Sequence, residues 1–158
     1  MKKKIAIFFN SERGFKVFTK LKNKFLFDIY LCKKNLDINV KNKLNKQFYK
    51  FKVIDKISPQ ITENIIAKKF FLIIAAGCPY IFPLKLINAS RNGTINLHAG
   101  ALPKYKGGSP LNWQIINGEK RLGISIIKMT QALDAGPIYS QKKFIFKRKH
   151  DISHAHAM

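Results

Sequence analysis

With 158 residues, 46% of them hydrophobic, the chain is long enough for a single domain with a workable core, and no apolar run in it reaches membrane-spanning length. Thirty Lys and Arg against eight Asp and Glu give a formal charge of +22 at neutral pH, a field that draws anionic ligands and leaves nucleic acid open as a partner. The lysines are scattered rather than massed in one stripe, and Asn, Ile and Phe are abundant too. That pattern fits an AT-rich coding bias better than sequence-specific nucleic-acid recognition.

Met1-Lys2-Lys3-Lys4 resembles the start of a secretion signal, but the apolar run behind it, residues 5–9, is too short for one. Those residues read instead as a first buried strand, 4–9. A polar turn, Asn10-Ser11-Glu12-Arg13-Gly14, leads into a helix over 15–23, then a strand over 25–31 and a lysine-rich amphipathic helix over 37–48. A third strand at 51–54 is followed by a helix that Ser58-Pro59 opens and that runs to residue 68. Residues 70–75 form a fully apolar fourth strand and 94–98 a fifth. Ser109 is placed as the N-cap of a helix over 110–117, with Trp113 in the core. Two long strands, 122–129 and 138–146, close the pattern, and residues 151–158 begin another helix.

Strands alternating with helix-length segments imply an α/β fold, a Rossmann-like, mostly parallel twisted sheet flanked by helices, in one domain spanning 1–158. Ligands in such sheets bind beyond the carboxyl ends of the strands, where residues 10–14, 77–80 and 98–100 fall. Cys32 and Cys78 belong to no CxxC or metal-ligand spacing, so they are expected to remain reduced and unbonded. His150 and His154 are four apart but lack a third ligand, so no metal is expected. A soluble, cytoplasmic protein follows from these readings.

The most informative segment is Asn96-Leu97-His98-Ala99-Gly100-Ala101-Leu102-Pro103, together with Asp134-Ala135-Gly136. Asn96 and His98 lie two apart on a strand and point to one side of it. An amide donor and a titratable ring would face one cavity, and the later loop could bring the Asp134 carboxylate to the ring. Such a set can hydrogen-bond or protonate an oxyanion while an amine attacks a carbonyl carbon.

This arrangement resembles the 10-formyltetrahydrofolate-dependent formyltransferases. The likeness is carried by Asn96-Leu97-His98, Leu102-Pro103-Lys104-Tyr105-Lys106-Gly107, Asn112-Trp113-Gln114-Ile115-Ile116-Asn117-Gly118, Gly123-Ile124-Ser125-Ile126-Ile127 and Leu133-Asp134-Ala135-Gly136-Pro137-Ile138. Ala75-Ala76-Gly77-Cys78-Pro79-Tyr80-Ile81-Phe82-Pro83 is similar to the family's folate loop. The resemblance implies Asn96, His98 and Asp134 as the catalytic set and 10-formyltetrahydrofolate as co-substrate. It implies folate contacts at Gly77, Pro79, Tyr80 and Phe82 and at Met129, Thr130, Gln131 and Leu133. Gly107 and Gly108 either only permit a tight turn or let the loop at 103–109 close over the amine substrate, with Lys106 facing an anionic group. Ser11 and Arg13 either touch a substrate phosphate or only begin a helix.

The sequence departs from the family pattern at Ala99-Gly100-Ala101, which is expected to alter loop flexibility alone, and at Thr130-Gln131-Ala132. The family's catalytic domain normally continues through a C-terminal helix, so the chain reads as short at that end. Residues 103–113 look most like enzymes that formylate an amino sugar on a nucleotide carrier. Methionyl-tRNA is the alternative acceptor, and an inactive fragment or a basic RNA-binding module on the same fold is the alternative of another class.

Overall fold

The computed structural model describes residues 2–146. The elements are β1 (Lys4–Phe9), α1 (Glu12–Leu21), β2 (Leu26–Cys32), α2 (Ile38–Lys46), β3 (Phe51–Ile54), α3 (Pro59–Ala67), β4 (Leu72–Ala75), α4 (Leu84–Ile87), β5 (Thr94–His98), α5 (Pro110–Ile116), β6 (Arg121–Lys128) and β7 (Ile138–Ile145). The strands form a mixed seven-stranded sheet in the order β3-β2-β1-β4-β5-β6-β7. The expected α/β class is therefore observed. The chain divides into two compact units, Met1–Ile95 and Asn96–Met158, with the boundary inside β5.

In the first unit β1 pairs in parallel with β2 on one side and β4 on the other, and β2 pairs in parallel with β3. Residues 5–9 of β1 are all buried, as a strand enclosed on both faces requires. Phe8 stacks on Tyr30 and meets Phe82 edge-on, while Phe18 of α1 packs edge-on against Phe27 and Tyr49. Asp37 caps α2 by accepting from Asn39 N–H, and Ser58 caps α3 by accepting from Ile61 N–H. α1 begins at Glu12, three residues earlier than its apolar pattern suggests. Gly14 makes that possible: a β-carbon there would stand 2.2 Å from Phe9 Cβ, so only glycine lets the first turn lie against the end of β1.

In the second unit β6 and β7 are antiparallel, with an irregularity at Ile126/Ile127. Leu111 of α5 and Leu122 of β6 form a small core joined by Ala99, Ile115 and Phe146. Two expectations fail here. Trp113 is 53% exposed rather than core, because α5 buries Leu111 and Gln114 and leaves the tryptophan on the opposite side. Ser109 stands at the N-cap position but makes no cap bond: its φ of 51° is left-handed, whereas a capping side chain needs extended backbone. Pro110, which has no N–H to satisfy, opens the helix without it. Among the described residues no helix is long and apolar enough to cross a membrane. The expected helix at 151–158 and the pair His150 and His154 lie outside the described residues.

Candidate active site

Asn96 and His98 occupy alternate positions of β5 and do face one side, and the turn after β6 delivers Asp134 to both. Asp134 Oδ2 lies 3.3 Å from His98 Nδ1, with the two side chains only 8% and 6% exposed. Its Oδ1 accepts from the Asn96 amide at 3.2 Å, and Oδ2 also accepts from Gly107 N–H at 3.0 Å. One carboxylate thus ties together the amide, the imidazole and the glycine-rich loop. Asp134 has a left-handed φ of 46°, which an aspartate tolerates better than most side chains. Two residues on, a β-carbon at Gly136 would stand 1.8 Å from the Lys128 carbonyl oxygen, so the turn can close onto the end of β6 only with glycine there. Lys128 N–H donates to the Pro137 carbonyl and completes the closure.

The other ring nitrogen is engaged as well: His98 Nε2 lies 2.5 Å from the Tyr105 carbonyl oxygen. Both nitrogens face acceptors, which a protonated ring satisfies together and a neutral ring only one at a time. Tyr105 is itself anchored. Its hydroxyl donates to Glu119 Oε1 and accepts from the Asn117 amide, and Lys104 reaches the same Glu119 oxygen. The hydrogen bonds from Lys104 and then Tyr105 hold the Glu119 carboxyl below its ordinary value.

Three further polar residues hold the His98 loop, and the resemblance assigns a role to none of them. Gln114, fully buried, donates to the Ala99 and Gly123 carbonyls and accepts from Gly123 N–H at 2.6 Å. Ser125, also fully buried, donates to the Gly100 carbonyl and accepts from Leu102 N–H. Gln141, opposite Ser125 in the ladder, reaches both Ser125 Oγ and the Leu102 carbonyl. The available signal was a polar residue inside an apolar strand or helix, which needs a buried partner. Gly100 likewise does more than loosen the loop: a β-carbon there would stand 2.6 Å from His98 Nε2.

The other expected site residues fall into three groups. Lys106 is exposed and lines a cavity of about 260 Å³ with Lys104, Tyr105, Pro110, Trp113 and Asn117. Gly107 takes a φ of 83° that favours glycine. Beyond β6, Met129 is half-buried, and Thr130, Gln131 and Leu133 are exposed. In the first unit, Gly77, at a φ of 85°, brings the turn after β4 against Ser11, whose Oγ would be 3.4 Å from a β-carbon at that glycine. Ser11 Oγ is buried with no hydrogen-bond partner among the described residues, and Arg13 is exposed. Pro79 is exposed. The Tyr80 hydroxyl is occupied, accepting from Lys34 N–H and donating to the Ile54 carbonyl. Phe82 is buried against Phe8, so a ligand could meet only its backbone. Among the described residues no group of three or more His, Cys, Asp or Glu could hold a metal.

Residues 31–155 match the model of a family described as formyl transferase. The chain belongs to the formyl transferase family. The methionyl-tRNA formyltransferase of Enterococcus faecalis is 39% identical over 95 residues, which are 60% of this chain and 30% of that protein. The aligned part is thus under a third of that relative's length. The fold is that of a glycinamide ribonucleotide transformylase from Symbiobacterium toebii, with a TM-score of 0.82, 15% identity, and coverage of 99% of this chain and 79% of that one. A sugar N-formyltransferase from Shewanella sp. superposes with a TM-score of 0.78 and 23% identity, covering 98% of this chain and 62% of that one.

Proposed function

We propose that the chain transfers a formyl group from 10-formyltetrahydrofolate to a primary amine, with Asn96, His98 and Asp134 as the catalytic set. The observation that carries this is the single buried carboxylate shared by the Asn96 amide and the His98 ring. The donor supplies a formyl carbon and a nitrogen leaving group. Backbone groups of residues 129–133 would meet its pterin.

Asn96 gives one amide N–H to Asp134 and keeps the second for an oxygen turning anionic as the amine attacks. Asp134 fixes the His98 tautomer and can take the proton that the amine sheds. His98 Nε2 rests against the Tyr105 carbonyl oxygen. Its use on a substrate therefore requires the loop at 103–109 to shift, which makes that loop part of the substrate site together with Lys106.

The acceptor we favour is methionyl-tRNA. The relative at 39% identity carries that name, and a charge of +22 suits a polyanionic partner. An amino sugar on a nucleotide carrier is the second reading, supported by residues 103–113 and by the likeness to the sugar enzyme's fold. The test is a formyl-transfer assay with both acceptors on the wild type and on His98→Ala. The substitution should lower turnover about 100-fold or more while folate affinity stays nearly unchanged. Equal loss of binding and turnover would make His98 structural, and no transfer to any amine would overturn the assignment.

A further inference from the structure

The two cysteines, 46 positions apart, meet: Cys32 Sγ and Cys78 Sγ are 3.0 Å apart and both thiols are free. Cys32 ends β2 and Cys78 follows β4, and these strands flank β1. The contact therefore spans the carboxyl end of β1. Both sides are tied to Ile54 at the end of β3. Cys32 is paired with Ile54 in the β2–β3 ladder, and the Tyr80 hydroxyl bonds the turn after β4 to Lys34 N–H and the Ile54 carbonyl. A disulfide has an S–S length of about 2.0 Å, so the sulfurs need to close by only about 1 Å. Access is unequal, because Cys32 is fully buried and Cys78 is partly open to solvent. The neighbouring thiol, and then burial, push the Cys32 thiol well above its ordinary value, so it stays protonated while Cys78 is reduced.

We propose that Cys32 and Cys78 are a reversible thiol–disulfide pair, in which a hydroperoxide oxidises the accessible Cys78 and the buried Cys32 resolves it. The Cys78 sulfur, having lost its proton, attacks one oxygen of hydrogen peroxide. The O–O bond breaks, and the other oxygen leaves as water after taking up a proton, giving a sulfenic acid. The Cys32 sulfur then displaces that hydroxyl, which leaves as a second water carrying the Cys32 proton. Two thiols and one peroxide become one disulfide and two waters, the sulfurs being oxidised and the peroxide reduced. A dithiol reductant reverses the step by exchange. The bond would close a 46-residue loop and fix the turn at Gly77–Tyr80 to β2. The proposal stands apart from the formyl-transfer reading.

The test treats the full chain with stoichiometric hydrogen peroxide, blocks remaining thiols, and maps the peptides by mass. A Cys32–Cys78 cross-link within one chain is expected, removed by dithiothreitol, with a melting temperature roughly 5–10 °C above that of the reduced protein. Cys32→Ser should instead trap Cys78 as a sulfenic acid that reacts with dimedone, and Cys78→Ser should leave Cys32 unreacted. The wild-type peptide map decides the matter even if a variant folds poorly. Two free thiols after treatment, a cross-link only between chains, or over-oxidised Cys78 without a cross-link would each overturn the pair.

Discussion

A β-carbon added at Gly100 would stand 2.5 Å from the Tyr105 carbonyl oxygen and 2.6 Å from His98 Nε2, the two atoms whose contact fixes the imidazole. Neither neighbour is a flexible tip. The ring is held through Asp134 on its other nitrogen, and Tyr105 is buried and bonded to Glu119. Gly100→Ala should therefore move the ring rather than be absorbed, and a misplacement near 1 Å costs on the order of 100-fold in turnover. Overpacking should destabilise the fold by about 1–3 kcal/mol as well. Turnover and a urea melt measured together separate the two effects. A variant with wild-type turnover would show that the loop has slack that the packing does not suggest.

Among the elements, β5, β6 and α5 are held to one another by polar pins. Ser125 Oγ joins Gly100, Leu102 and Gln141 in a region closed to water. Ser125→Ala leaves the Gly100 carbonyl and Leu102 N–H without that partner. It should cost about 1–3 kcal/mol of stability, read from denaturant melts. Replacing exposed Ser140 in the same way should change little. The strands themselves were legible because each is a short apolar run between turn residues; Phe51–Ile54 and Thr94–His98 fall where the pattern puts them. α4 was not, since four residues behind Pro83 carry no helical period. Asn96 and His98 were legible from strand alternation. The pairing of Ser125 with Gln141 depends on a cross-strand register that one strand's sequence does not contain, and Trp113 was misplaced because aromatic character alone does not say which helix face is covered.

For the whole molecule the dominant fact is charge, and Glu12, Asp28 and Glu119 each hold a lysine. Asp28 of β2 bonds Lys68 at 2.5 Å and Lys4 at 2.9 Å. Burial pushes its carboxyl up, but the hydrogen bonds and charges of Lys68 and Lys4 outweigh that and bring it below its ordinary 3.8. A depressed folded value means the stabilisation is complete above the unfolded carboxylate range and is lost as pH falls through the folded one. Both lysine side chains are nearly half exposed, so the pairs together should contribute only about 1 kcal/mol. Asp28→Asn should melt lower than wild type at neutral pH, with the gap closing in acid. A gap that persists at low pH would assign the loss to packing.

The same excess of positive charge separates the two acceptor classes. An RNA held through several phosphates releases several counterions, and its apparent affinity falls with salt as a power set by that number, about 0.7–0.9 per phosphate contacted. A sugar nucleotide has few phosphates to offer, so its dependence is shallow. With a charge of +22 spread along the chain, methionyl-tRNA should show a steep log–log dependence of kcat/KM on salt, while kcat at saturation changes little. Lys106→Ala should lower the slope by about one if that lysine meets a single phosphate. A steep slope for tRNA binding without formyl transfer would move the chain towards the RNA-binding reading. Transfer to a sugar nucleotide with a shallow slope, and none to tRNA, would select the amino-sugar acceptor.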